Sequence, residues 1–121
     1  MTATNEGVDI HSTAGKLADL RRRLDDATHA GSARAVEKQH ARGKMTARER
    51  IDALIDPESF QEIGLFRKNR TVTFGMDTAD MPADGVVTGT ATVLGRPVHL
   101  ASQDFTVMGG SAGETHSIKV V

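Results

Sequence analysis

The residues with the clearest chemical potential are Ser102-Gln103-Asp104-Phe105-Thr106-Val107-Met108-Gly109-Gly110-Ser111-Ala112-Gly113-Glu114, which read as the end of a strand, a glycine turn and the start of a helix. Such a junction can cradle a ligand: glycines admit close backbone approach, and the first helical N–H groups lack intrahelical partners. Gly109 and Gly110 are adjacent, so at least one is expected to need positive φ or close approach of another group. The stretch also fits the G-x-S-x-G pattern of a nucleophile elbow, with Ser111 as the nucleophile. A serine triad on that motif draws its acid and histidine from further along the chain, and here only Glu114 and His116 follow, on the same short helix and too close to reach back. The preferred reading of Ser111 is therefore a helix N-cap hydroxyl. His11, His29, His40, His99 and His116 form no ligand spacing and are read as surface or structural, with no metal site. Arg21-Arg22-Arg23 is read as a solvated helix face. Arg67-Lys68-Asn69-Arg70 has fewer acids nearby, and an anionic ligand or partner surface stays open there.

Three zones position these residues. Residues 1–9 are polar and aperiodic, the pattern of a disordered tail. Residues 10–57 form a helical extension. Leu17, Leu20 and Leu24 make one narrow apolar stripe that must lean on something else, and Asp19 with Arg22 and Arg23, and Arg21 with Asp25, are spaced to pair. A second helix is expected over 33–42, capped by Gly43. A third opens with Thr46 and Glu49 as a capping box, shows Ile51, Leu54 and Ile55 on one face, and stops at Asp56-Pro57. Residues 58–121 turn to strands. One or two short ones fall within 60–74, and Met81-Pro82-Ala83-Asp84-Gly85 reads as a turn. Val86 to Val93 alternates, with Val87, Gly89, Ala91 and Val93 on one face, Thr88, Thr90 and Thr92 on the other, and one buried side. Leu94-Gly95 is expected to be a type I turn with a bulge, because leucine tolerates positive φ poorly, and a second strand returns over 97–103. The class is α/β, and α+β over this stretch.

Composition bounds the alternatives. The 121 residues hold four Phe, no Trp, no Tyr and no Cys, so disulfides and thiolate zinc sites are excluded. Fifteen Lys and Arg against sixteen Asp and Glu give a net charge of −1, which favours neither nucleic acid nor anionic lipid. No apolar run approaches the roughly 20 residues of a membrane helix, and the acidic start resembles no signal or transit peptide, so a cytoplasmic setting without membrane is expected. The helix after the glycine turn has room for only about two turns. The sequence thus reads as the front of a larger protein.

Four separated blocks then carry a resemblance: Gly43-Lys44-Met45-Thr46-Ala47-Arg48-Glu49-Arg50-Ile51, Asp84-Gly85-Val86-Val87-Thr88-Gly89, Gly95-Arg96-Pro97-Val98, and Ser102 to Glu114 with His116. In this order they resemble the carboxyltransferase (beta) subunits of biotin-dependent acyl-CoA carboxylases, of the propionyl-CoA carboxylase beta type, over roughly the first quarter of such a subunit. Met45 and Met108 stand where that family usually has Leu and Phe, and Ala112 where it often has Leu, changes that keep apolar character. The resemblance implies a crotonase-like fold and transfer of a carboxyl group from carboxybiotin to the α-carbon of an acyl-CoA such as propionyl-CoA or acetyl-CoA, within fatty acid metabolism. It implies carboxybiotin carried on a partner protein, a biotin-carrying alpha subunit, and a homo-oligomer of beta subunits. The backbone donors that hold the enolate oxygens come later in such chains, so no catalytic residue is assigned and the isolated stretch is expected to bind no cofactor and to be inactive. Phe105, Thr106, Val107, Gly109, Gly110 and Ser111 would lie on the acyl-CoA side, and the helical extension would serve subunit packing. The alternative is a non-catalytic interaction module whose helices dock on a carboxylase-like partner.

Overall fold

A computed structural model describes residues 9–70, 75 and 83–121. The tail over 1–8, and the parts of the expected strands and turn over 71–74 and 81–82, lie outside the described residues. Helices α1 (Thr13–Thr28), α2 (Ala33–Ala41) and α3 (Ala47–Leu54) come first. Strands β1 (Gln61–Ile63), β2 (Val86–Val93) and β3 (Arg96–Gln103) follow, then α4 (Glu114–Val120). The three strands form one antiparallel sheet in the order β1-β2-β3, an α+β arrangement.

Each helix boundary has a local cause. The Ser12 hydroxyl accepts the Gly15 N–H at 3.0 Å and Asp9 accepts the Ser12 N–H, so Asp9 belongs to the α1 cap. Ser32 caps α2 through the Ala35 N–H. At its other end, the Gly43 N–H meets the His40 carbonyl and the Lys44 N–H the Gln39 carbonyl, with Gly43 at φ 71°. That is a Schellman motif, which only a residue at ease in the left-handed region closes cheaply. Thr46 and Glu49 form the expected reciprocal box on α3.

The extension packs through small residues. Ala27 of α1 is buried, while Leu17, Leu20 and Leu24 are 48%, 45% and 38% exposed, so nothing in the described chain covers the stripe. Arg22 and Arg23 both pair with Asp19 as expected. The expected Arg21–Asp25 pair is replaced: Asp25 lies beside His29, and Arg22 reaches on to Asp26. On α3 the buried line is Ala47 and Ile51, continued by half-buried Ile55, and it meets Val87, Phe60 and Leu100. Leu54, expected on that face, is 60% exposed because the sheet meets the i, i+4 line through Ala47, Ile51 and Ile55 and leaves its neighbour outside.

β2 departs from simple alternation, since Val86, Val87, Thr88 and Gly89 are all buried. Its start is sandwiched between α3 on one side and the 83–85 turn with α4 on the other. The Thr88 hydroxyl survives burial by donating to the Ile63 carbonyl at 2.8 Å. The hairpin turn also differs from expectation: Leu94 and Gly95 both have positive φ, 52° and 76°, and Val93 pairs directly with Arg96. This is a two-residue type I′ turn. The Asp56 carboxylate accepts both turn N–H groups, at 2.9 Å each, and the Thr92 hydroxyl at 2.7 Å, and so holds leucine where its own preference would not. Those bonds, the Thr92 hydroxyl foremost, keep the Asp56 carboxyl below its usual range.

Candidate functional site

The turn leaving β3 is anchored before it reaches its glycines. The Asp104 N–H donates to the Gly85 carbonyl at 2.8 Å, and the Asp104 carboxylate accepts the Thr106 N–H at 3.0 Å and the Thr106 hydroxyl. Val107 is buried between Ala27 and the β2 start. Met108, Gly109 and Gly110 then run through the left-handed region at φ 48°, 62° and 81°. Both glycines thus need the positive φ that their adjacency suggested, and Met108 shares it, which its residue type did not signal. A Cβ on Gly110 would sit 2.7 Å from the Phe105 ring, whereas Gly109 faces open space.

The helix start is not an open cradle. Asp84, itself buried, accepts the His116 N–H of α4 at 2.8 Å, so the negative group favoured at a helix N-terminus is supplied from within the fold. Gly113 is the N-cap residue and Ser111 is exposed, two residues earlier, with no hydroxyl hydrogen bond among the described residues. The capping role expected of Ser111 is therefore overturned: Ala112 and Gly113 intervene before the helix winds. Ser111→Ala is accordingly expected to change unfolding free energy by no more than about 0.5 kcal/mol, read by denaturant titration, where a lost cap would cost about 1 kcal/mol. His116 is structural: its Nδ1–H donates to the Asp84 carbonyl at 3.0 Å and its ring is buried.

Sequence reasoning missed two groups, one on α4 and one on α3. Lys119 donates to the Ala83 carbonyl at 2.8 Å and to the Val86 carbonyl. Desolvation lowers its pKa from 10.5 to about 8, against the opposing pull of Glu62. A lysine Cε NMR titration of the folded chain should find one resonance moving near pH 8 and lost in Lys119→Met. Because the folded pKa is depressed, the unfolded chain holds more protons between about pH 8 and 10.5, and stability rises with pH across that window. Arg48 forms a bidentate pair with Glu62 at 2.8 and 2.9 Å while its Nε–H donates to the Thr28 carbonyl, tying α1, α3 and β1 together. A 14-residue separation across two elements gives no local signal.

Of the six residues expected beside a ligand, Phe105, Thr106 and Gly109 line a groove of about 730 Å³ between the turn and the end of α2. Val107 instead points into the interior, and Gly110 backs the Phe105 ring. The opposite wall carries Lys38, Arg42, Lys44 and Arg50, with Met45. Met45 and Met108 are 51% and 54% exposed, so neither fills the core in this chain. Of the second basic cluster, Arg70 pairs with Glu114. Among the described residues no group of His, Asp and Glu could hold a metal ion, and no helix is long and apolar enough to cross a membrane.

A three-stranded antiparallel sheet backed by α3, with a buried aspartate locking a glycine turn to the following helix, belongs to a crotonase-like carboxyltransferase fold. The chain belongs to the carboxyl transferase domain family, whose model matches residues 38–121. It is 59% identical over 98% of its length to the methylmalonyl-CoA carboxyltransferase 12S subunit of Propionibacterium freudenreichii subsp. shermanii, covering 23% of that protein. It is 62% identical over 96% of its length to the propionyl-CoA carboxylase beta chain of Saccharopolyspora erythraea, covering 21% of it. The fold superposes on a transcarboxylase 12S crystal structure with methylmalonyl-CoA bound, at TM-score 0.86 and 60% identity, over 90% of this chain and 21% of that one. A single-chain long-chain acyl-CoA carboxylase follows at TM-score 0.77 and 34% identity, over 89% of this chain and 12% of that one. The chain spans about a fifth of the length of the curated relatives it matches.

Proposed function

We propose that this chain is the N-terminal part of a subunit that transfers a carboxyl group from carboxybiotin, carried on a partner protein, to the α-carbon of a short acyl-CoA such as propionyl-CoA. In that reaction the N–carboxyl bond of biotin breaks, a carbon–carbon bond forms at the α-carbon, and the α-proton ends on the biotin nitrogen. The observation that carries the reading is the superposition on the 12S subunit at 60% identity, since that structure holds methylmalonyl-CoA. The local chemistry fits an acyl-CoA: a groove with four cations and an exposed aromatic ring suits a phosphorylated thioester carrier.

In this division of labour residues 58–121 supply the first hairpin and glycine turn of the acyl-CoA domain, and residues 10–57 serve subunit packing. The exposed Leu17, Leu20 and Leu24 support the last assignment, as apolar surface that a neighbouring beta subunit would cover. A cytoplasmic setting, a ligase reaction when coupled to biotin carboxylation, a place in fatty acid metabolism, and a biotin-carrying alpha subunit as partner complete the proposal. The complete polypeptide bearing this sequence, mixed with a carboxylated biotin carrier and propionyl-CoA, should give methylmalonyl-CoA. The isolated 121 residues should give none above a heat-treated control. No transfer by the complete polypeptide to propionyl- or acetyl-CoA would overturn the function, and transfer by the isolated chain would overturn the division of labour.

A further inference from the structure

The short turn that leads into β2 is held carbonyl by carbonyl, by donors from later in the chain. Ala83, Asp84 and Gly85 all lie at positive φ, 65°, 47° and 73°, a conformation that the first two do not favour. The Asp84 carbonyl accepts from His116 Nδ1 and the Gly85 carbonyl from the Asp104 N–H, while the Ala83 and Val86 carbonyls both accept from Lys119 Nζ. Lys119 reaches them over Gly64, where a Cβ would stand 3.2 Å from its Cε. The number of acceptors matters. An ammonium carries three hydrogens and a neutral amine two, and among the described residues Nζ has two acceptors, both uncharged. Loss of the third proton therefore breaks neither hydrogen bond, and it leaves a lone pair directed away from both carbonyls.

The surroundings of Nζ favour that loss. Desolvation acts most strongly against the ammonium, and Arg48 on α3 and Arg67 after β1 act the same way, opposed by Glu62 on β1 and Asp84 in the turn. With the pKa at about 8, about one Lys119 in five is neutral near pH 7.4, against about one in a thousand for a lysine at 10.5. The side chain is half-buried and borders a groove of about 370 Å³, which His99 also lines and whose apolar walls at Ile63, Leu100 and Val120 suit a short acyl chain. An amine held still beside such a groove is a nucleophile for carbonyl carbon. We infer that Lys119 is a site of acylation by thioesters. The Nζ lone pair attacks the thioester carbonyl, a carbon–nitrogen bond forms, the carbon–sulfur bond breaks, and the departing thiolate takes up the proton released from nitrogen. The amide keeps one hydrogen, so either the Ala83 or the Val86 carbonyl loses its donor and the turn loosens from α4. The proposed function enters only as the source of the thioester, since an acyl-CoA is one.

The test exposes the complete subunit to S-propionyl-N-acetylcysteamine, a small thioester that needs no turnover, and follows the propionylation of each lysine by peptide mass spectrometry. Near pH 7.4 Lys119 is expected to react at least about fivefold faster than the exposed Lys16, and its rate should level off above about pH 8 while that of Lys16 keeps climbing. Lys38 and Lys44 are not used as references, because they line the groove proposed for acyl-CoA. The labelled subunit should melt at a lower temperature than a mock-treated one, and Lys119→Arg, which forms no amide, should lose less on the same exposure. A Lys119 rate equal to or below that of Lys16 overturns the inference, as does a rate that climbs in parallel with it. Both readings need no variant, so they stand whether or not Lys119→Arg folds. An unchanged melting temperature at full labelling overturns the loosening of the turn. Labelling by propionyl-CoA but not by the small thioester would trace the adduct to bound substrate and overturn the inference too. Absence of carboxyl transfer in the unaltered subunit strikes the proposed function alone, because acylation by the small thioester is read without it.

Discussion

Gly110→Val in the complete subunit is expected to lose about 2–4 kcal/mol of unfolding free energy. Two costs add. The residue sits at φ 81°, a region that a β-branched side chain occupies only under strain of about 1–3 kcal/mol. Its Cβ would also lie 2.7 Å from the Phe105 ring, an overlap of the kind that costs about 1–3 kcal/mol. Because Phe105 is half exposed, the ring can swing, which relieves part of the second cost. Swinging carries the ring into the groove, so KM for acyl-CoA should rise even where the protein stays folded. Arg22→Ala serves as the reference: its pairs with Asp19 and Asp26 lie on the solvent face of α1 and contribute little. Melting curves with and without acyl-CoA separate the two effects. A Gly110→Val protein with both melting temperature and KM unchanged would show the turn to be a passive connection and remove Phe105 and Gly109 from the ligand side.

What the sequence made legible follows the range of the interactions involved. The capping box at Thr46, the Gly43 stop and the limits of β2 depend on residues within four positions of one another, and all three appear where they were expected. The Leu94-Gly95 turn was misread because its conformation is decided by Asp56, 38 and 39 residues earlier, whose carboxylate takes both turn N–H groups. Ser111 was misread for a similar reason. Asp84 occupies the helix start 32 residues away from His116, and a hydroxyl nearby in sequence has nothing left to cap. The groove shows the same division. Phe105, Thr106 and Gly109 were marked by the glycine turn, but the cations opposite them lie some 60 residues earlier on a helix end, and no spacing rule joins the two.

Gly89 was likewise read as an ordinary member of an alternating face, and its replacement should have the larger consequence. A Cβ there would meet the Gln61 carbonyl oxygen at 2.3 Å, the Phe60 ring at 2.8 Å and the Glu62 Cα at 3.0 Å. Two of these are backbone atoms of β1, which cannot swing aside as a half-exposed ring can. Gly89 also pairs directly with Glu62, so β1 must lift off β2 to admit any side chain. Lifting β1 withdraws the Glu62 carboxylate from Arg48, and the bidentate pair that ties α3 and the end of α1 to the sheet goes with it. Gly89→Val is therefore expected to cost about 3 kcal/mol or more, and Gly89→Ala a substantial part of that, since even one methyl group meets the carbonyl. The route of the damage gives a sharper test than its size. In the unaltered protein Arg48→Met should cost about 2 kcal/mol, by stranding the largely buried Glu62 carboxylate. In a Gly89→Val background the pair is already broken, so adding Arg48→Met should cost almost nothing further. Denaturant titration of the two single variants and the double variant reads both statements. Additive costs would mean that β1 stays docked and the strain is absorbed elsewhere, and a Gly89→Val protein within about 0.5 kcal/mol of the unaltered one would show that β1 lies farther from β2 than the 2.3 Å approach requires.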